Sequence, residues 1–398
     1  MSCDSSSHSL VPQAPQPLEQ ALPRTAELLQ QGIADGQHPG VQLYVSRNGS
    51  LIANAALGDA RLPEVIDGQT HPAVPMQLDS VLLWLSTGKP ITAVALGQLK
   101  DRTLLNFDDP IVTYIPEFAP HGKDVITIRQ FLTHTAGFRP MTLDWPRLTW
   151  DEVIAALCNA RMEPRWTPGE KAGYHTSSSW FILGEVVRRV SGKSFSNYVR
   201  DEIFLPLGMT DTWIGMPPEA FASYGDRFAH IYDMEQGERT PREWMSFPNA
   251  THCSPGGNTM GPTYQLGYFH EMLLGAGERN GVRILQPETV RELTSRQRKG
   301  MFDETFGKPI DWGLGFVINT RMPGLQTMPY GYGPYASPDT FGHSGYQSST
   351  GFVDQAYGLV VAIVTNGLPG EPRNYKRFRQ LDTALYEDLE LNTPRDAR

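Results

Sequence analysis

Residues 81–99 read VLLWLSTGKPITAVALGQL. Apolar residues flank Ser86 and Lys89 on both sides. A helix starting near residue 86 and running to about residue 101 therefore has little face left for water. Ser86 and Lys89 stand three residues apart, one helical turn, on a shared face. The start of a helix carries partial positive charge. Burial and that charge both disfavour an ammonium, so Lys89 is expected to titrate below an ordinary lysine and to move a proton for the Ser86 hydroxyl. Pro90 lacks an N–H but falls in the first turn, where a missing donor is tolerated. No other lysine in the chain has serine three positions before it. On this pair alone, a capped helix with a snorkelling lysine is the competing reading. The flanks VLLWL and ITAVAL weigh against it.

Working outward, residues 18–35 repeat apolar positions at steps of three or four (Leu18, Leu22, Ala26, Leu29, Ile33), and Pro23 marks where that helix starts. Residues 41–46 alternate as a strand, Arg47 to Ser50 form a turn, and 51–57 return. Residues 60–80 read as an irregular loop. The middle of the chain carries helical patterns at 127–134, 150–160, 179–191, 196–204, 264–274 and 286–295. Strand-like runs come back at 312–318, 351–354 and 359–365, and a helix over 373–389 closes the pattern. Strands at both ends with helices between predict a discontinuous α/β domain (18–107 and 299–391) holding an inserted all-helical domain (108–298). Residues 1–17 and 392–398 read as tails.

The chain has 398 residues, a formal net charge of -9, 40% apolar and 19% charged residues. That composition is ordinary for a globular protein. An acidic chain without a long Lys/Arg run is a poor binder of phosphate backbones, so no nucleic-acid partner is expected. No apolar run reaches the ~18 residues of a membrane span. The N-terminal stretch is polar and rich in Pro and Ser and does not read as a secretory signal, so a cytoplasmic location is expected. Cys3, Cys158 and Cys253 show no paired spacing, which argues against a disulfide framework and a cysteine zinc site.

Two further segments carry candidate chemistry. In WTPGEKAGYHT (166–176), a Pro-Gly turn leads to Tyr174 just ahead of a helix, where a phenol can relay protons in a cleft. In FGHSGYQSSTG (341–351), Gly345 would let a substrate backbone approach closely. The N–H of Tyr346 can pair with that of Ser86 as an oxyanion hole. His343 is read as orienting the substrate or holding its negative end. The aromatic run Tyr330, Tyr332 and Tyr335 offers an apolar pocket wall. Trp84, Trp145, Trp150, Trp166 and Trp180 read as core rather than pocket. There is no H-E-x-x-H and no G-x-S-x-G, so neither a metal nor an α/β-hydrolase elbow is expected.

Ser86 with Lys89, Tyr174, and the segment His343–Gly345, in this order, resemble the motifs of serine hydrolases of the β-lactamase and penicillin-binding fold. ITIRQFLTHTAGF (126–138), LPLGMTDT (205–212) and PGGNTM (255–260) also resemble that group. The resemblance implies an antiparallel sheet flanked by helices with a helical insertion, and no cofactor. It implies Ser86 as acylated nucleophile, Lys89 as its proton partner and Tyr174 as the tyrosine of a Y-x-N element. His343, Ser344 and Gly345 fall where many relatives have Lys-Thr-Gly. Two positions depart from the pattern. Thr176 stands where Asn is common and cannot offer an amide's paired donor and acceptor. His343 replaces a permanent cation with a group mostly neutral near pH 7. Both departures point away from β-lactams and peptides and toward a small or medium acyl ester. D-aminopeptidase, D-alanyl-D-alanine peptidase or β-lactamase activity, acyl transfer from the same acyl-enzyme, and a non-catalytic binding role are the alternatives. Substrate-binding candidates are Thr176, His343, Ser344, Gly345 and Tyr346.

Overall fold

The computed structural model describes residues 11–392 except 67, 140–143, 238 and 321–329. Its centre is an antiparallel sheet of eight strands: β1 (Gly40–Arg47), β2 (Ser50–Arg61), β3 (Val74–Pro75), β4 (Asp311–Trp312), β5 (Val317–Ile318), β6 (Phe341–Gly345), β7 (Ser349–Asp354) and β8 (Leu359–Thr365). Their order across the sheet is β4-β5-β6-β7-β8-β1-β2-β3. The hairpin of β1 and β2 follows the sequence pattern, with Asn48 and Gly49 both at positive φ in the turn. β1 also pairs with β8, Val41 facing Thr365 and Val45 facing Val361.

LVVAIVT in β8 is a continuous apolar run and is buried throughout, as expected for a strand covered on both faces. Val41, Leu43, Val45, Val361 and Ile363 share one core cluster with Leu22, Leu29, Leu381 and Leu385. Those last four belong to the N-terminal and closing helical segments. Of these segments, α1 (Pro23–Ala34) and α5 (Glu371–Asp388) pack on one another. Tyr44, Val360, Ala362 and Val364 point the other way, into a cluster with Tyr264 and Tyr268 of α4 (Thr263–Leu274). That cluster continues through α2 (Lys89–Asp101) and α3 (Ser178–Ser191). No helix among the described residues is long and apolar enough to cross a membrane.

Several sequence expectations change here. Residues 60–80 are not a plain loop: β2 runs on to Arg61, a short hairpin pairs Glu64–Ile66 with Gln69–His71, and Val74–Pro75 joins the sheet. The predicted strand at 312–318 is split into β4 and β5 around Gly315, whose φ of +81° turns the chain. Of the helices placed in the insertion, α4 packs on β8, β7 and β1. The periodicity of α4 gave its helix but not which layer it belongs to.

Gly267 sets how close α4 lies to the sheet. A Cβ there would stand 2.1 Å from Cδ1 of Tyr44, a ring whose hydroxyl is held by Glu271 at 2.7 Å. We expect Gly267→Ala to destabilise the fold by about 1–3 kcal/mol, read as a lower urea midpoint with an unchanged slope. An unchanged midpoint would mean that the ring yields freely.

Candidate active site

The turn before α2 is held from three sides. Trp84 is fully buried, and its indole N–H donates to the carbonyl of Gly261 at 2.8 Å. Leu85 follows in the left-handed region at φ +53°, a conformation that a branched side chain adopts only under constraint. Part of the constraint is Ser349, whose hydroxyl donates to the Trp84 carbonyl at 2.6 Å and lies 2.8 Å from Thr87 Oγ1. Gly345, at the end of β6, completes it. A Cβ there would meet Ser349 Oγ at 2.3 Å and the Trp84 carbonyl at 2.5 Å. The sequence reading of Gly345 as room for a substrate backbone is therefore corrected. The glycine makes room for the turn that carries Ser86, and it brings the Tyr346 end of the strand beside that turn.

Lys89 is fully buried. Its Nζ lies 2.9 Å from Ser86 Oγ, donates to the carbonyl of Thr176 at 2.8 Å and donates also to that of Gly256. No carboxylate forms an ion pair with it among the described residues, and burial pushes its pKa well below that of a free lysine. Thr176 is exposed as a side chain, so what it brings to this cluster is its carbonyl. Gly256 was legible only as part of the PGG run and was not read as a site residue.

Tyr174 is buried and hydrogen-bonded to Ser86. Burial pushes its pKa up, the Ser86 bond works against that, and Asp303 adds to it. Its backbone N–H donates to Asp303 Oδ1 at 3.1 Å. Asp303 in turn pairs with Arg298 at 3.0 Å, both out of water. The Tyr174 ring stacks on Trp312 at 5.8 Å and lies against His134 at 4.7 Å. Asp303, Arg298, His134 and Trp312 were missed as supports of the site. His134 lay in the 126–138 segment and Trp312 opened the 312–318 run, but neither was read as part of the site.

His343 is buried, with its pKa pushed down to about 3, chiefly by burial. The Ser344 carbonyl lies 2.8 Å from Nδ1, which fixes the proton on that nitrogen and leaves Nε2, which has no partner, as a bare acceptor. As a neutral acceptor, His343 offers no charge to a substrate's negative end, which does not favour that half of the expectation.

A cavity of about 670 Å³ opens over Ser86. Tyr174, Thr176, His343, Ser344 and Tyr346 line it, so the predicted residues converge. Of the aromatic run, only Tyr330 reaches it. Tyr332 is fully buried, with its hydroxyl on the Val317 carbonyl at 3.1 Å, and Tyr335 packs on the same core. Both are corrected from pocket to core. The tryptophans in the wall are Trp244 and Trp312, neither of them singled out beforehand. Trp84 and Trp180 are core as expected.

The chain belongs to the beta-lactamase family, whose model matches residues 25–385. Esterase EstB of Burkholderia gladioli is 27% identical over 371 residues, covering 86% of this chain and 90% of that one. The esterase/beta-lactamase LipL of Mycobacterium tuberculosis is 26% identical over 329 residues, covering 74% and 71%. Among solved structures, a family VIII carboxylesterase superposes with a TM-score of 0.76 at 25% identity, over 95% of this chain and 99% of that one.

Burial also depresses His134 and His175. A histidine whose folded pKa is depressed binds its proton more readily when unfolded, so its contribution to stability falls as pH drops below about 6.5. Each such group costs up to about 1.4 kcal/mol per pH unit. Asp382, whose pKa burial raises, works in the opposite direction. Burial lowers His38, His230 and His270 as well, so the histidines together outweigh it, and the melting temperature should fall between pH 7.5 and pH 5.5. His343→Gln should flatten that slope. An equal slope in the variant would show that His343 is not buried as a neutral ring.

Proposed function

We propose that the protein is a serine carboxylesterase that acts on esters of small or medium acyl groups through an acyl-enzyme on Ser86. The observation that carries this reading is the surroundings of the Lys89 nitrogen. An uncharged amine has two N–H donors and one lone pair. The carbonyls of Thr176 and Gly256 take the two donors, which turns the lone pair toward Ser86 Oγ at 2.9 Å.

In the first step Ser86 Oγ attacks the ester carbonyl and its proton passes to Lys89. The developing oxyanion is held by the N–H groups of Ser86 and Tyr346. The C–O bond to the leaving alcohol then breaks, and the alkoxide takes a proton through Tyr174, whose raised pKa keeps it a donor at neutral pH. Lys89 resupplies that proton. In the second step water attacks the acyl-enzyme, gives its proton to the same pair, and releases the acid and free Ser86. The bare Nε2 of His343 and the lack of Lys or Arg among the described residues of the wall argue against substrates that present a carboxylate near the reacting bond. The chain's similarity to the esterase EstB and to the family VIII carboxylesterase supports an ester substrate.

Hydrolysis of p-nitrophenyl butyrate should be abolished by Ser86→Ala and lowered about 10²–10⁴-fold in kcat by Lys89→Met. A fluorophosphonate probe should label the wild type and not Ser86→Ala. Hydrolysis by Ser86→Ala at the wild-type rate would remove Ser86 from the mechanism. Nitrocefin, which carries a carboxylate, should be turned over with a kcat/KM about 100-fold or more below that of the ester, the scale of one lost charge-assisted hydrogen bond. Comparable values for the two substrates would overturn the argument from His343.

A further inference from the structure

The cavity wall carries one charge that ester cleavage does not use. Among the described residues lining it, Glu371 is the only one with a formal charge. Its Oε1 accepts the Tyr330 hydroxyl at 2.7 Å, and Tyr375 also hydrogen-bonds to the carboxylate. Its Oε2 is out of water and has no partner. No ion pair joins Glu371 to a cation among the described residues. An acid in the first turn of α5 favours the helix dipole, but an exposed side chain would serve that purpose equally well. It does not account for a carboxylate set behind two tyrosines with one oxygen left unpaired.

The rings around it form a continuous wall leading back to the reacting serine. Tyr174 contacts Phe306 at 5.1 Å between centroids, Phe306 contacts Tyr330 at 6.0 Å, and Tyr330 contacts Tyr375 at 5.5 Å. Trp244 and Tyr346 line the same cavity, 6.5 Å apart. The rim adds negative charge. Glu235 lies so close to Gly370 that a Cβ there would meet its Oε1 at 3.1 Å. Arg242, beside Trp244, is already paired with Asp233. Aromatic faces backed by a carboxylate that no cation among the described residues pairs with are the surroundings that bind an ammonium group.

We propose that the Glu371 side of this cavity recognises a cationic ammonium group, so that the preferred esters carry a positive charge held against the Tyr330 and Tyr375 rings. This inference names the substrate class for the esterase reading above and rests on it. The test uses two pairs of isosteres in which a trimethylammonium replaces a tert-butyl group. One pair places it on the leaving group (butyrylthiocholine against S-(3,3-dimethylbutyl) thiobutyrate). The other places it on the acyl chain (p-nitrophenyl esters of 4-trimethylammoniobutyrate and 5,5-dimethylhexanoate). In at least one pair, kcat/KM should favour the cation by about tenfold or more. Glu371→Gln should bring that ratio close to one, and Glu371→Asp should keep part of it. Ratios near one for both pairs in the wild type, or a preference that survives Glu371→Gln, would overturn the proposal. A merely helix-stabilising Glu371 would lower the melting temperature of Glu371→Gln and leave the ratio untouched. If no ester is turned over at all, the esterase reading fails by itself. Calorimetry then decides the cation site: phenyltrimethylammonium should bind Ser86→Ala and bind Ser86→Ala/Glu371→Gln far more weakly. Absent or equal binding would count against it.

Discussion

The site depends on one nitrogen. Lys89 Nζ is buried and touches a hydroxyl on its own turn and two carbonyls from distant segments, Thr176 and Gly256. An ammonium taken out of water without an anion is costly, whereas an amine with its donors satisfied is not. The fold therefore selects the protonation state that the chemistry requires. The same three contacts tie α2 to the loop before α3 and to the PGG loop, so one atom both joins the layers and faces the serine.

The strands supply the opposite wall by shape rather than by charge. β6 ends in a glycine because the turn bearing Leu85 and Ser86 presses directly on it. The resulting contact strains Leu85 and aligns two backbone stretches without any side chain between them. Beyond that contact, the cavity is aromatic, burial disfavours the charged form of its histidine, and the one carboxylate among its described residues, Glu371, stands apart from the reacting bond. Such a wall sorts substrates by where their charge lies.

Much of this was legible in residues 81–99. Apolar flanks around Ser86 and Lys89 announced a buried lysine, and the strand patterns at 41–46 and 359–365 announced the sheet. The less legible parts share a physical cause. Thr176 and Gly256 act through carbonyls, which every residue has, so their side chains could not reveal them. Asp303 and Arg298 support Tyr174 from far along the chain, and neither sits in a pattern with a chemical signature. Tyr332 and Tyr335 look like Tyr330 in sequence, but Tyr332 is fully buried and Tyr335, half-buried like Tyr330, packs on the core and not on the cavity. Only packing shows the difference. The placement of α4 on the sheet likewise depended on Gly267, one small residue in an otherwise ordinary helical repeat.

The pairing of β1 with β8 has a consequence for how the molecule is made. Val41 finds its partner, Thr365, only after nearly the whole chain has left the ribosome. Until then the apolar edge of the first hairpin is open on the side where β8 will lie, and the face that will carry α5 is uncovered. Contacts this distant in sequence close slowly, and an exposed strand edge is where other chains can add. The nascent protein must shelter that edge until β8 is synthesised, so the step most open to failure is the arrival of that strand.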